Sequence, residues 1–176
     1  MSAQLPSLVV SLATRAEKSA VERLMQLYLH DFSEFAKVGE PYGDVDRDGA
    51  FQYPHLDSYW DDSKREPLLI WVDRRIVGFA LVNDWSASGL GATYGMAEFF
   101  ILRKYRAIGI GKLAAHELIR ARPGVWEIPV AHYNLPALQF WRSTLNAMTG
   151  CKVDEVAGDG ERWSGPIYRI TPKTHT

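Results

Sequence analysis

Two groups of residues in this chain have the types and spacing to do chemistry. The first is the run Arg103-Lys104-Tyr105-Arg106-Ala107-Ile108-Gly109-Ile110-Gly111-Lys112, set directly after the apolar stretch Met96 to Leu102. Gly109 and Gly111 carry no side chain, so an oxyanion can approach the backbone. The N–H groups of a helix's first turn lack intrahelical acceptors and would point at it. Arg106 and Lys112 add positive charge, and the whole turn suits a pyrophosphate. The second is Glu98, the one acid in an otherwise apolar strand. A carboxylate placed there can take a proton from a substrate; the alternative is an outward-facing or ion-paired strand residue.

The elements that must position these groups follow from periodicity. Leu8 to Leu12 reads as a first strand, and Thr14-x-x-Glu17 is a capping-box pattern opening a helix whose Val21, Leu24, Met25, Tyr28 and Phe32 share a face. That helix and its continuation are expected to reach about Val38. A long irregular loop follows over 39–55, rich in Gly and Pro, and loops of that length are often functional. Pro67 to Val72 and Ile76 to Val82 read as strands joined at Asp73-Arg74-Arg75 in a hairpin. The fourth strand, Met96 to Leu102, leads through the basic turn into a helix with Ile110, Leu113, Ala114 and Leu118 at helical spacing and Lys112, His116 and Arg120 on other faces. A fifth strand, Val125 to Ala131, precedes a helix opened by Asn134. Lys152 to Val156 and Pro166 to Ile170 form a closing hairpin, and 171–176 is a tail. The pattern predicts an α/β (α+β) three-layer fold: one domain over 1–176, with a central mixed, mostly antiparallel sheet of about seven strands flanked by helices.

Composition narrows the function classes. At 176 residues, 47% hydrophobic and 12% aromatic, the chain can bury one sizeable core. A formal net charge of −1 offers no global attraction to nucleic acid or an anionic membrane, so neither is expected as a partner, and the basic turn is a local feature. The lone Cys151 leaves no internal disulfide or multi-cysteine zinc site, and no apolar run is of membrane-spanning length. A cytoplasmic location is expected.

Several patterns are near misses. Asp44-Val45-Asp46-Arg47-Asp48-Gly49 begins like a calcium loop, but His55 stands where the closing Glu is needed. A solvated loop, or one whose Glu40, Asp44, Asp46 and Asp48 attract a cationic acceptor, fits better. Gly109 to Ala114 also fits G-x-G-x-x-A, with Glu127 at the distance of a ribose-binding acid, yet the preceding strands form no repeated βαβ array. There is no Gly-Lys-Ser/Thr phosphate loop, and His30, His116 and His175 have no metal-ligand spacing, so no metal is expected.

Arg106-x-x-Gly109-x-Gly111 resembles the R/Q-x-x-G-x-G/A signature of GNAT N-acetyltransferases, and the likeness extends through the fifth strand to Asn134-Leu135-Pro136-Ala137, which is similar to the family's Asn-x-x-Ala helix. Met96-Ala97-Glu98-Phe99-Phe100 and Phe140-Trp141-Arg142 look like a bacterial branch. The resemblance implies transfer of an acetyl group from acetyl-CoA to a primary amine by direct attack in a ternary complex. It implies that backbone groups at Phe100, Ile101 and Leu102 meet the pantetheine arm, and that Arg106, Ala107, Ile108, Gly109, Ile110, Gly111 and Lys112 hold the pyrophosphate. Asn134, an N-cap in any case, would also contact CoA, with Ala137, Phe140 and Trp141 forming the cofactor wall. Acetyl transfer to an amine also needs a proton acceptor, because a lysine-like amine with a pKa near 10.4 arrives charged, and Glu98 is the candidate. Many members carry a tyrosine where this chain has Trp141, whose indole is no useful acid. Tyr133 and His132 are candidate substitutes, His132 being equally readable as a structural histidine. Tyr28, Phe32, Tyr53 and His55, with Tyr42, are candidates for the acceptor pocket. The acceptor is a small-molecule or peptide amine, and a homodimer is an open option. The rival from another class is a non-catalytic CoA-binding or interaction module on the same fold.

Overall fold

Apolar residues on both faces of the central strands force a layered arrangement, and the computed structural model, which describes residues 7–38 and 43–173, builds it around one seven-stranded sheet. In chain order the elements are β1 (Leu8–Leu12), α1 (Lys18–Phe32), a short α2 (Ser58–Asp61), β2 (Glu66–Val72), β3 (Arg75–Asn83), β4 (Tyr94–Ile101), α3 (Ile110–Arg120), β5 (Trp126–Pro129), α4 (Leu135–Asn146), β6 (Cys151–Ala157) and β7 (Pro166–Pro172). The strand order is β1-β2-β3-β4-β5-β7-β6, with β4 and β5 parallel and the other neighbours antiparallel.

In β2 and β3 successive side chains enter opposite layers. Leu69, Phe79 and Leu81 pack with Val21, Leu24 and Met25 of α1, while Leu68, Ala80 and Val82 pack with Leu118 and Ile119 of α3 and Trp141 and Leu145 of α4. One face is therefore covered by α1 and α2, the other by α3 and α4.

The capping-box pattern is present: the Glu17 carboxylate accepts from the Thr14 backbone N–H at 2.8 Å and from its hydroxyl at 2.8 Å. A 3-10 turn, Arg15–Glu17, intervenes before α1. The helix also stops earlier than periodicity suggests. Ser33 donates its hydroxyl to the His30 carbonyl at 2.7 Å, Ser33–Phe35 tightens into a 3-10 turn, and Ala36 is extended. Asp73 and Arg74 both have positive φ, 48° and 64°, which makes the β2–β3 connection a two-residue hairpin.

Two departures from regular pairing create the central opening. β4 pairs with β5 only at Tyr94↔Trp126 and Gly95↔Glu127, after which the strands separate. In β4 the register against β3 shifts between Leu81↔Glu98 and Val82↔Met96, so Ala97 is the extra residue of a β-bulge. The bulge settles which way Glu98 points. Ala97 and Phe100 belong to the core under α1, Phe99 packs on the α4 side, and Glu98 shares the α1 face with Phe100.

Candidate active site

The basic turn occupies the end of β4. A 3-10 segment, Arg103–Tyr105, is followed by Ala107 and Gly109 at positive φ, 61° and 89°, and then by α3. The two glycines do different jobs. A Cβ at Gly109 would meet nothing within 4 Å, so this residue is glycine for its left-handed backbone and leaves open space above the start of an 11-residue helix that no side chain caps. Gly111 already lies inside α3, and a Cβ there would stand 3.1 Å from the Phe140 ring; its bareness lets α3 close on α4. Ile110 is buried as the helix's first inward residue, while Ile108 and Lys112 are exposed on the rim.

Arg106 is more constrained than a free phosphate ligand. Its Nε donates to the Ile101 carbonyl at 2.7 Å, its guanidinium pairs with Asp31 of α1 at 2.5 Å, and it lies over the Phe100 ring. Arg103 pairs with the same carboxylate at 2.6 Å. Burial works to raise the Asp31 pKa, but the two guanidiniums overcome it and hold it below the usual range. The turn is thus clamped to α1. The same neighbourhood corrects one backbone expectation: the Leu102 N–H is not free, because it donates to the Val77 carbonyl at 2.8 Å. Strand alternation then turns the polar groups of Phe99 and Ile101 toward the open edge of β4.

Between the diverging β4 and β5 lies a cleft of about 510 Å³. Glu98 sits in its wall on the α1 side, accepting from the Tyr28 hydroxyl in a short hydrogen bond and from the Tyr53 hydroxyl at 3.0 Å. Among the described residues, none of those lining the cleft is Lys, Arg or His. Burial pushes the Glu98 carboxyl up to about 7, with the two phenol hydrogen bonds pulling part of the way back. Tyr53 is delivered by a chain of specific contacts. Gln26 of α1 clamps the backbone of Phe51, donating to its carbonyl at 2.9 Å and accepting its N–H at 2.7 Å, and Tyr53 follows two residues later.

Of the other predicted residues, Tyr28, Phe32, Tyr53, Tyr133, Asn134, Ala137 and Trp141 line the cleft. Asn134 caps α4, its side chain accepting from the Ala137 N–H at 3.1 Å. Tyr133 packs edge-on against Phe32 and tilted against Phe35. Trp141 is buried, with its ring edge-on to Phe99, and Phe140 stacks on Phe99. His132 and His55 are exposed and outside the cleft lining. His116, expected on a polar face, is buried with Nε2 2.8 Å from the Thr144 carbonyl oxygen. Glu127 is no ribose ligand: it is fully buried, bound to Ser86, Ser88 and Arg169. Asp46 turns inward on its own loop, accepting from the Asp48 and Ala50 N–H groups at 2.9 and 3.0 Å. Glu40, Tyr42 and His175 lie outside the described residues.

Sequence reasoning missed three residues: Asp31, Trp85 and Trp163. Asp31 sat unnoticed because its partners are 72 and 75 residues away. Trp85 and Trp163 lie in loops that no periodicity addresses, although an aromatic beside turn residues was a usable signal.

Among the described residues, no helix is long and apolar enough to cross a membrane. No curated protein matches the sequence. Solved structures do. An acetyltransferase from Thermus thermophilus is similar with a TM-score of 0.64 and 15% identity, over 95% of this chain and 97% of that one. The Salmonella typhimurium protein yncA, with its cofactor acetyl-CoA, has a TM-score of 0.56 and 16% identity over 97% and 96%. A ribosomal-protein-alanine N-acetyltransferase from Brucella melitensis has a TM-score of 0.55 and 17% identity over 94% and 99%. At these identities the likeness is one of fold. The family model for the acetyltransferase (GNAT) family matches residues 21–146, most of the chain, from within α1 to the end of α4, and the protein belongs to that family.

Proposed function

We propose that the protein is an acetyl-CoA-dependent N-acetyltransferase that acetylates a primary amine by direct attack, with Glu98 as the proton acceptor. The observation that carries this reading is the Glu98 carboxylate itself. It faces the cleft with two tyrosine hydroxyls as its only hydrogen-bond partners among the described residues and no cation, which is how a carboxyl is brought close to neutral pH for acid–base work. The turn fits the cofactor's diphosphate: Gly109 leaves the approach open, the first N–H groups of α3 have no side-chain cap, and Lys112 is exposed beside them. Acetyl-CoA would supply the thioester. The chain's own contribution is to align the open edge of β4, strip water from Glu98 and receive the ammonium proton there. Arg106 braces the turn through Asp31 and Ile101 and lends its charge from that fixed position. Trp141, at the position of the family's tyrosine, walls the cleft, and a thiolate with a pKa of about 8.5 can depart without a strong acid beside it.

The test is thiol release from acetyl-CoA in the presence of amines, beside calorimetric binding of acetyl-CoA. Glu98→Gln is expected to keep cofactor affinity and lose about a hundredfold or more of the rate. A variant that releases thiol as fast as the parent would remove Glu98 from the mechanism. Binding without release by the parent protein would favour the non-catalytic module.

A further inference from the structure

The acceptor end of the cleft is built from aromatic rings brought in by five separate segments. Tyr28 and Phe32 come from α1, their rings 5.4 Å apart. Tyr53 comes from the loop pinned by Gln26. Trp85 is held after β3: its N–H donates to the Asn83 side chain at 3.0 Å, and its carbonyl presses so close to Gly95 that a Cβ there would stand 2.6 Å away. Trp163 is fixed in the β6–β7 loop. Its indole N–H donates to the Val130 carbonyl at 3.3 Å, Asp159 folds the loop by accepting from the Arg162 N–H at 2.7 Å, and a Cβ on Gly165 would stand 2.3 Å from that same Val130 oxygen. Tyr133 completes the set against Phe32, centroids 6.3 Å apart. Hydrogen bonds hold Tyr28, Tyr53 and Trp163, ring packing holds Phe32 and Tyr133, and the backbone carrying Trp85 is fixed at Asn83 and Gly95, so the surface is built and not incidental.

Charge defines what this surface can accept. Glu98 is the sole acid among the described lining residues, which include no base; the remaining polar side chains are neutral, chiefly Gln52 and Asn83. An ammonium group is well served, because aromatic faces and one carboxylate both attract it. A carboxylate or phosphate on the same molecule would be desolvated with no cation among the described lining residues to meet it. A polyamine would bring further positive charges to a cleft with a single acid among its described lining residues.

We propose that the acceptor is a monoamine with an apolar or aromatic body and no acidic group, an arylalkylamine or alkylamine, held by the Tyr28, Tyr53, Trp85 and Trp163 surface. The proposal rests on the amine-acetylation reading above and narrows it, setting aside free amino acids, polyamines and peptide termini.

The test compares kcat/KM for phenethylamine, phenylalanine, phenylalaninamide, spermidine and a short alanine-initial peptide, with acetyl-CoA affinity measured separately. Phenethylamine is expected to exceed phenylalanine, which differs by one carboxylate, by about a hundredfold or more, with phenylalaninamide between them. Trp85→Ala and Trp163→Ala are each expected to raise KM for phenethylamine roughly tenfold, with acetyl-CoA Kd unchanged. Faster turnover of phenylalanine, spermidine or the peptide would overturn the acceptor class and leave the transferase standing. Acetyl-CoA binding with no thiol release by any of the five would overturn both.

Discussion

The chemistry of Glu98 is set by what surrounds it and by what is absent. Two phenols stabilise its ionised form, yet burial wins and the carboxyl rests at about 7. It must be ionised to take a proton, so kcat/KM for a fixed amine is expected to rise with pH through about 7. Tyr53→Phe removes one of the two bonds that favour the ionised form. The acid limb of the profile should then move to higher pH and activity at pH 7 should fall by about threefold to tenfold. A limb that stayed in place would mean that Tyr53 does not govern the carboxyl. Glu98 was legible in the sequence as the lone acid of an apolar strand. Its orientation was not, since it depends on the Ala97 bulge, and a one-residue register shift leaves no mark on an alternating pattern. Its tyrosine partners, 45 and 70 residues distant, were visible only as pocket candidates.

At the scale of elements, the turn between β4 and α3 combines two kinds of glycine that a motif writes with the same letter. Gly109→Ala forces an L-residue into the left-handed region at φ 89° without any clash, which costs about 1–2 kcal/mol. The strained turn should also weaken acetyl-CoA binding. Gly111→Ala keeps good helical backbone, but its methyl would reach within 3.1 Å of a Phe140 ring stacked on Phe99. Its damage should therefore appear in the packing of α3 on α4, and Phe140→Leu should relieve it in the double variant while leaving Gly109→Ala unrescued. Urea unfolding of the single and double variants checks this; rescue of both, or of neither, would reject the division of roles. Strands and helices were legible to within a few residues because periodicity records their buried faces. The Asp31 clamp on this turn was not, because nothing local in α1 distinguishes a carboxylate that will meet Arg103 and Arg106 from one that faces water.

Across the whole molecule, three buried or partly buried acids pull stability in two opposite directions with pH. At Glu127 burial favours the neutral form, but Ser88, Ser86 and Arg169 outweigh it and depress the pKa; Asp31 is depressed against burial by its two arginines. In both cases the unfolded chain binds protons more readily than the folded one, so the stabilisation they give is lost as pH falls through their folded values. Glu98 behaves in the reverse sense. Between its ordinary value of 4.5 and about 7 the folded protein holds the proton more tightly than the unfolded chain, and stability declines as pH rises across that window. The parent protein should therefore be most stable near about pH 5 and lose roughly 1–3 kcal/mol by pH 8. Glu98→Gln carries no charge to desolvate and should flatten that decline, being more stable than the parent at pH 8 and nearly equal to it at pH 5. Urea unfolding of both proteins at the two pH values decides the matter. Equal pH dependence would mean that Glu98 is solvated in the folded state, and the base assigned to the cleft would lose its physical support. The expected outcome instead shows the cleft holding a carboxylate at the expense of fold stability, a cost that the positive charge of an incoming amine would offset on binding.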